Sequence, residues 1–149
     1  LFVGFIILVA VLASALSGGI KSLIEDNQAA KEAARNFTTA MADEDYEEAY
    51  MYIGDALMEQ GITVDDLDDV RFDLLDTYES VTFNSVSIET LNGTKYVTLV
   101  GNINTTSDTQ PIVVILAEEE VDGEMMFRID TWSIDPADFP EESDDEYSI

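Results

Sequence analysis

Cysteine and histidine are both absent from this chain of 149 residues. Without cysteine there is no disulfide framework and no thiolate chemistry. Without histidine the commonest general base near neutral pH and the commonest transition-metal ligand are missing. Positive charge is scarce: six lysines and arginines stand against 32 aspartates and glutamates, for a formal net charge of −26. Nucleic acid and anionic lipid surfaces are therefore poor partners. The last scarcity is local. Residues 1–20, LFVGFIILVAVLASALSGGI, hold no ionisable side chain, and the first charge arrives at Lys21.

The net charge falls entirely on the residues after that stretch. So acidic a surface repels its own copies at low ionic strength, whereas at about 1 M salt the Debye length drops to about 3 Å. A saline or cation-rich habitat is expected; a colloidally stable soluble surface is the plainer account. Three regions follow: a hydrophobic filament-core or membrane helix over 1–20, an acidic head over 21–140 and an acidic tail over 141–149. With 46% hydrophobic residues the chain has apolar material for a single core in that head.

Twenty helical residues rise about 30 Å, the thickness of a bilayer's hydrocarbon core. Such a segment is expected either to sit in lipid or to be sheltered from water by copies of itself. Leu1, Phe2, Val3, Phe5, Ile6, Leu8, Val9, Leu12 and Leu16 form the candidate polymerisation interface, and Gly4, Ala10, Ala13 and Ala15 allow close backbone approach. Ser17, Gly18 and Gly19 interrupt the run as a candidate hinge. The sequence opens on apolar Leu1 without the Met and basic region of a secretory signal, so a mature chain that has lost a basic leader is expected.

Beyond the hinge, Ile20, Leu23, Ile24, Asn27, Ala30, Ala34, Phe37 and Met41 recur at helical spacing, with Lys31 and Arg35 on the exposed face. Asp43 is placed to cap a second helix carrying Tyr46, Ala49, Tyr50 and Ile53. Thr63 and Asp66 form a capping-box pair for a third, with Leu67, Val70, Leu74, Leu75 and Tyr78 inward. The helical part thus covers 21–78. From residue 81 the period changes to two, and strands are predicted over 81–91, 95–105, 112–121 and 125–134. Asn92-Gly93 and Asp122-Gly123 are type I′ hairpin signals, and the parity change between Phe83 and Val86 predicts a bulge near Asn84 and Ser85. The fold class expected is α+β: a long N-terminal hydrophobic helix, then a head of short helices on a four-stranded antiparallel meander sheet over 81–134.

Chemistry is thinly represented. A ligand in the head, with Asp130 or Asp45 as base and Tyr46, Tyr50 or Tyr78 as donors, is the sharpest catalytic arrangement the residue types allow. No nucleophile–base pair or glycine-rich phosphate loop accompanies them, so no enzyme, cofactor or metal site is expected. The acidic run Asp65, Asp66, Asp68 and Asp69 lacks the glycine and closing glutamate of an EF-hand and suits a helix N-terminus. Arg128 is expected in a structural ion pair. Asn36-Phe37-Thr38, Asn92-Gly93-Thr94 and Asn104-Thr105-Thr106 are sequons for N-linked glycans, consistent with an extracytoplasmic protein.

The uncharged N-terminal run followed by Lys21 resembles type IV pilins, whose leader is cut before a hydrophobic helix that becomes the filament core. Bacterial members carry a glutamate as the fifth mature residue; Phe5 stands there in this chain, which is similar to archaeal pilins. Further along, Phe37-Thr38-Thr39-Ala40-Met41, Asp45-Tyr46-Glu47-Glu48-Ala49-Tyr50 and the closing Phe127-Arg128-Ile129-Asp130-Thr131-Trp132 resemble the cystatin-like cone of nuclear-transport-factor-2-like domains. That second resemblance implies a fold and no particular chemistry. The first implies a structural subunit of an extracellular filament, a homopolymer held in the cytoplasmic membrane before assembly. The alternatives are a single-pass membrane-anchored binding module and, below it, a secreted cyclase or isomerase.

Overall fold

The computed structural model describes the backbone over residues 19–135 and the side chains from residue 26. The period-two stretch folds into one four-stranded antiparallel sheet in sequence order: β1 Tyr78–Leu91, β2 Thr94–Thr105, β3 Thr109–Val121 and β4 Glu124–Ser133. At the β1–β2 turn Asn92 and Gly93 have φ of 52° and 85°; at the β3–β4 turn Asp122 and Gly123 have 53° and 85°. Positive φ at both central residues is what a type I′ turn requires, and it matches the twist of the strands it joins.

Register shifts interrupt the sheet at three places; one lies at the start of β1, between Tyr78 and Ser80, and the other two keep the inner face apolar. The register of β1 against β2 shifts between Phe83 and Ser85, so that Val81 and Phe83 share a face with Val86 and Ile88. A second shift falls where β3 pairs β4: Ile115 faces Thr131 and Leu116 faces Ile129, leaving Asp130 as the extra residue. That extra residue lets Ile129 and Trp132, three apart, point the same way. The parity change between Phe83 and Val86 predicts the bulge after Phe83; the one at Asp130 was not expected.

Helix α1, Gly19–Ala42, crosses the inner face and buries Ala30, Ala33, Ala34, Phe37, Ala40 and Met41 in one cluster with Val97, Leu99, Leu116 and Ile129. Its alanines let the helix sit close to the sheet while Phe37 and Met41 fill the remaining space. Then come α2 Tyr46–Tyr50, α3 Asp55–Glu59, α4 Val64–Val70 and a 3₁₀ turn, Asp73–Thr77, which leads into β1.

The expected long hydrophobic N-terminal helix is corrected. The helix described at that end is α1, an amphipathic element that spends its apolar face on the sheet and carries Glu32 and Arg35 on its exposed side. Among the described residues no helix is long and apolar enough to cross a membrane. The fold class is a four-stranded antiparallel sheet accompanied by these helices. The nine candidate interface positions, with Ser17 and Gly18, lie outside the described residues, and Gly19 opens α1.

Two smaller expectations also change. Asp45, not Asp43, caps α2, its Oδ1 accepting from the Glu48 amide at 3.2 Å; the Asp43 amide still donates to Thr39 O at the end of α1. The third helix stops at Val70, which is 46% exposed, because Arg71 leaves helical geometry with ψ 136°. The capping box is present: the Thr63 amide and hydroxyl both donate to Asp66 Oδ2, at 2.8 and 2.9 Å.

Candidate functional site

β4 is an edge strand, and the chain covers part of that edge itself. The Ile129 amide donates to Tyr52 O at 2.6 Å and Ile129 O accepts from the Gly54 amide at 2.8 Å, a parallel bridge between Ile53 and Ile129. Covering an edge in this way blocks adventitious strand pairing. Beyond the bridge, between β4 and helices α3 and α4, a cavity of about 400 Å³ opens; Phe37, Ile53, Leu57, Leu67 and Trp132 line it, and Asp130 and Gln60 supply polar groups. Its back wall is an aromatic stack. Trp132 lies parallel to Phe72 with centroids 3.8 Å apart and meets Phe37 edge-on at 5.1 Å. The Trp132 indole donates to Thr38 Oγ1 at 3.2 Å, and that buried hydroxyl in turn donates to Ala34 O at 2.8 Å.

The bulge sets Asp130 in this wall, where burial raises its carboxyl pKa. The other residues weighed for catalysis are not brought to it. Asp45 is a helix cap. The Tyr46 hydroxyl donates to Asp68 Oδ1 at 2.8 Å; burial first, and then that bond, push its pKa up to about 12. The Tyr50 hydroxyl donates to Ile62 O at 3.1 Å, and Tyr78 Oη pairs with Thr39 Oγ1 at 3.1 Å. Each tyrosine ties one element to another. What the cavity can do chemically is hold an apolar group beside one carboxyl.

No match is returned by a scan against protein-family models or by searches of curated proteins and of solved structures. The fold and its site therefore rest on their own geometry.

Three of the basic residues, Arg71, Lys95 and Arg128, are placed as bridges. Arg128, at the β4 edge, lies 3.5 Å from Glu119 and 3.7 Å from Asp55, a structural ion pair as expected. Burial raises the Glu119 pKa against the opposing pull of the Asp55 amide and Arg128. Two further bridges are not evident in the hydrophobic pattern. Arg71 sends Nε to Met41 O at 2.7 Å and Nη2 to Ala42 O at 2.9 Å, closing the C-terminus of α1, while Nη1 pairs with Asp76 at 2.7 Å. Burial opposes its charge, but Asp76, with Tyr46 and Glu44, outweighs it and the guanidinium pKa rises. Lys95 ties β2 to α1 by direct contact with Asp26, with Glu118 at 3.9 Å. The available signal was weak: an excess of 32 carboxylates over six cations favours pairing but does not say which cation meets which carboxylate. Among the described residues no group of three or more acidic side chains could hold a metal ion. Of the sequons, Asn36 is exposed on α1, Asn92 is exposed at a hairpin tip, and Asn104 is half-buried in β2.

Proposed function

We propose that this chain is a structural subunit of a cell-surface filament of the type IV pilus kind, held in the cytoplasmic membrane before assembly. Its copies associate through the uncharged N-terminal segment and display the acidic head to solvent. The carrying observation is the segregation of charge: no ionisable side chain in residues 1–20 and a net −26 on the rest. Lipid accepts that segment; water does not. Once the chain leaves lipid, each Leu, Ile, Val or Phe covered by another copy contributes about 1.5–3 kcal/mol relative to exposure. Over the apolar positions between Leu1 and Leu12 this reaches tens of kcal/mol before entropy is subtracted. The head has little to add: its exposed large apolar side chains, among the described residues, are Met51 after α2, Val70 on α4, Leu91 on β1 and Met125 on β4. Head-to-tail contacts of identical copies that do not close on themselves generate helical polymers.

Negative-stain microscopy of the native preparation tests the reading. Leu8→Asp or Phe5→Lys is expected to leave the thermal unfolding of the head unchanged and to abolish polymer. Normal filaments from either variant overturn the reading. The cavity beside β4 favours a second reading, a membrane-anchored extracytoplasmic binding module; a wild-type chain that remains a monomer in detergent selects it instead.

A further inference from the structure

The three sequons are equivalent in sequence and unequal in the fold. Transfer of a glycan to asparagine needs the side-chain amide nitrogen free to react and the hydroxyl two residues on free to be recognised. At Asn36 the amide is exposed, but its partner hydroxyl is that of Thr38, which is 0% exposed and engaged on both sides by Ala34 O and the Trp132 indole. At Asn104 the amide is itself occupied: Nδ2 donates to Ser80 Oγ at 3.0 Å and Oδ1 accepts from Thr109 Oγ1 at 3.4 Å. That residue pairs with Ser80 on one side and Thr109 on the other, inside the sheet. Asn92 differs on both counts. It is exposed in a two-residue turn at the end of two long strands, Thr94 is partly exposed beside it, and Gly93 between them has no Cβ to crowd an approaching enzyme. Next to it Leu91 is 51% exposed, an apolar surface that a sugar ring can cover.

We propose that Asn92 carries an N-linked glycan and that Asn36 and Asn104 do not. The proposal rests on the surface location inferred above. The donor is a lipid-phosphate- or lipid-pyrophosphate-linked sugar. The Asn92 amide nitrogen attacks the anomeric carbon, a carbon–nitrogen bond forms, the bond from that carbon to phosphate oxygen breaks, the lipid phosphate leaves, and the amide gives up one proton.

The test is peptide mass spectrometry on the native protein from its own cells, beside surface labelling of intact cells with a membrane-impermeant amine reagent. Glycan mass is expected on the peptide holding Asn92, with the Asn36 and Asn104 peptides unmodified. Asn92→Asp is the variant of choice, because Asp122-Gly123 adopts the same turn in this molecule and the hairpin is preserved. Both Asn92→Asp and Thr94→Ala are expected to remove the full glycan mass from the intact chain, and Thr94→Ser to retain it. A surface-labelled chain with an unmodified Asn92 peptide overturns the proposal and leaves the filament reading standing. Sugar on Asn36 or Asn104 overturns the assignment by geometry, and a chain that escapes surface labelling overturns both.

Discussion

A Cβ placed on Gly101 would lie 1.9 Å from the Thr82 carbonyl oxygen and 2.7 Å from Phe83 Cα, because β1 bends onto β2 just before its bulge. The obstacle is backbone, which cannot swing aside. Gly101→Ala is expected to destabilise the head by about 3 kcal/mol, the upper range for overpacking a tight site, read as a lower urea midpoint. Asp130 is the opposite case, a side chain the fold tolerates at a cost. Its folded pKa is raised by burial, so the stability it contributes is fully present below its unfolded value of about 3.9 and is lost as pH rises through the folded value. At pH 7 the carboxylate is a penalty. Asp130→Asn should therefore raise the melting temperature at pH 7, and the gain should shrink as pH falls through the folded pKa towards about 4. A constant gain across that range would mean that charge is not its source.

At the level of elements, α1 depends on a residue far from it in sequence. Arg71 supplies two donors to the carbonyls of Met41 and Ala42 at the helix end, where no intrahelical partner exists. Arg71→Ala should cost about 2–3 kcal/mol by urea unfolding, and Arg71→Lys should recover only part of that, since an ammonium cannot reproduce the planar fork. The hairpins were legible because Asn-Gly and Asp-Gly dictate their own geometry, and the bulge near Asn84 because parity changes between Phe83 and Val86. The bulge at Asp130 was legible in principle. Ile129 and Trp132 cannot share a face of a regular strand, yet Trp132 is the sole tryptophan and belongs inside. Arg71 and Lys95 were not legible, since hydrophobic periodicity says which face is buried and nothing about which carbonyl or carboxylate a cation will reach. Spacing likewise placed Tyr46 and Tyr50 on one face, where they pack against the core, but could not say that their hydroxyls answer to Asp68 and Ile62. The third helix broke early because the demand for Arg71 at the end of α1 overrides local propensity.

For the whole molecule, net charge sets the response to solvent. Asp26, Asp55, Asp76, Glu118 and Glu119 face a basic side chain within 4.0 Å, but six cations cannot answer 32 carboxylates. Screening should therefore relieve more repulsion than attraction, and the head's melting temperature is expected to rise between about 0.01 and 1 M salt, where the Debye length falls from about 30 to 3 Å. A falling melting temperature would show that the few bridges dominate. The attachments of α1 have a mechanical consequence. Tension applied from the N-terminal side enters the head at Gly19 and meets four fastenings in turn: Asp26 on Lys95, Thr38 on Trp132, Thr39 on Tyr78, and the Met41 and Ala42 carbonyls on Arg71. Because they are spaced along the helix, they are stressed one after another, and a pulled head yields by peeling α1 from the sheet before any strand parts from its neighbour.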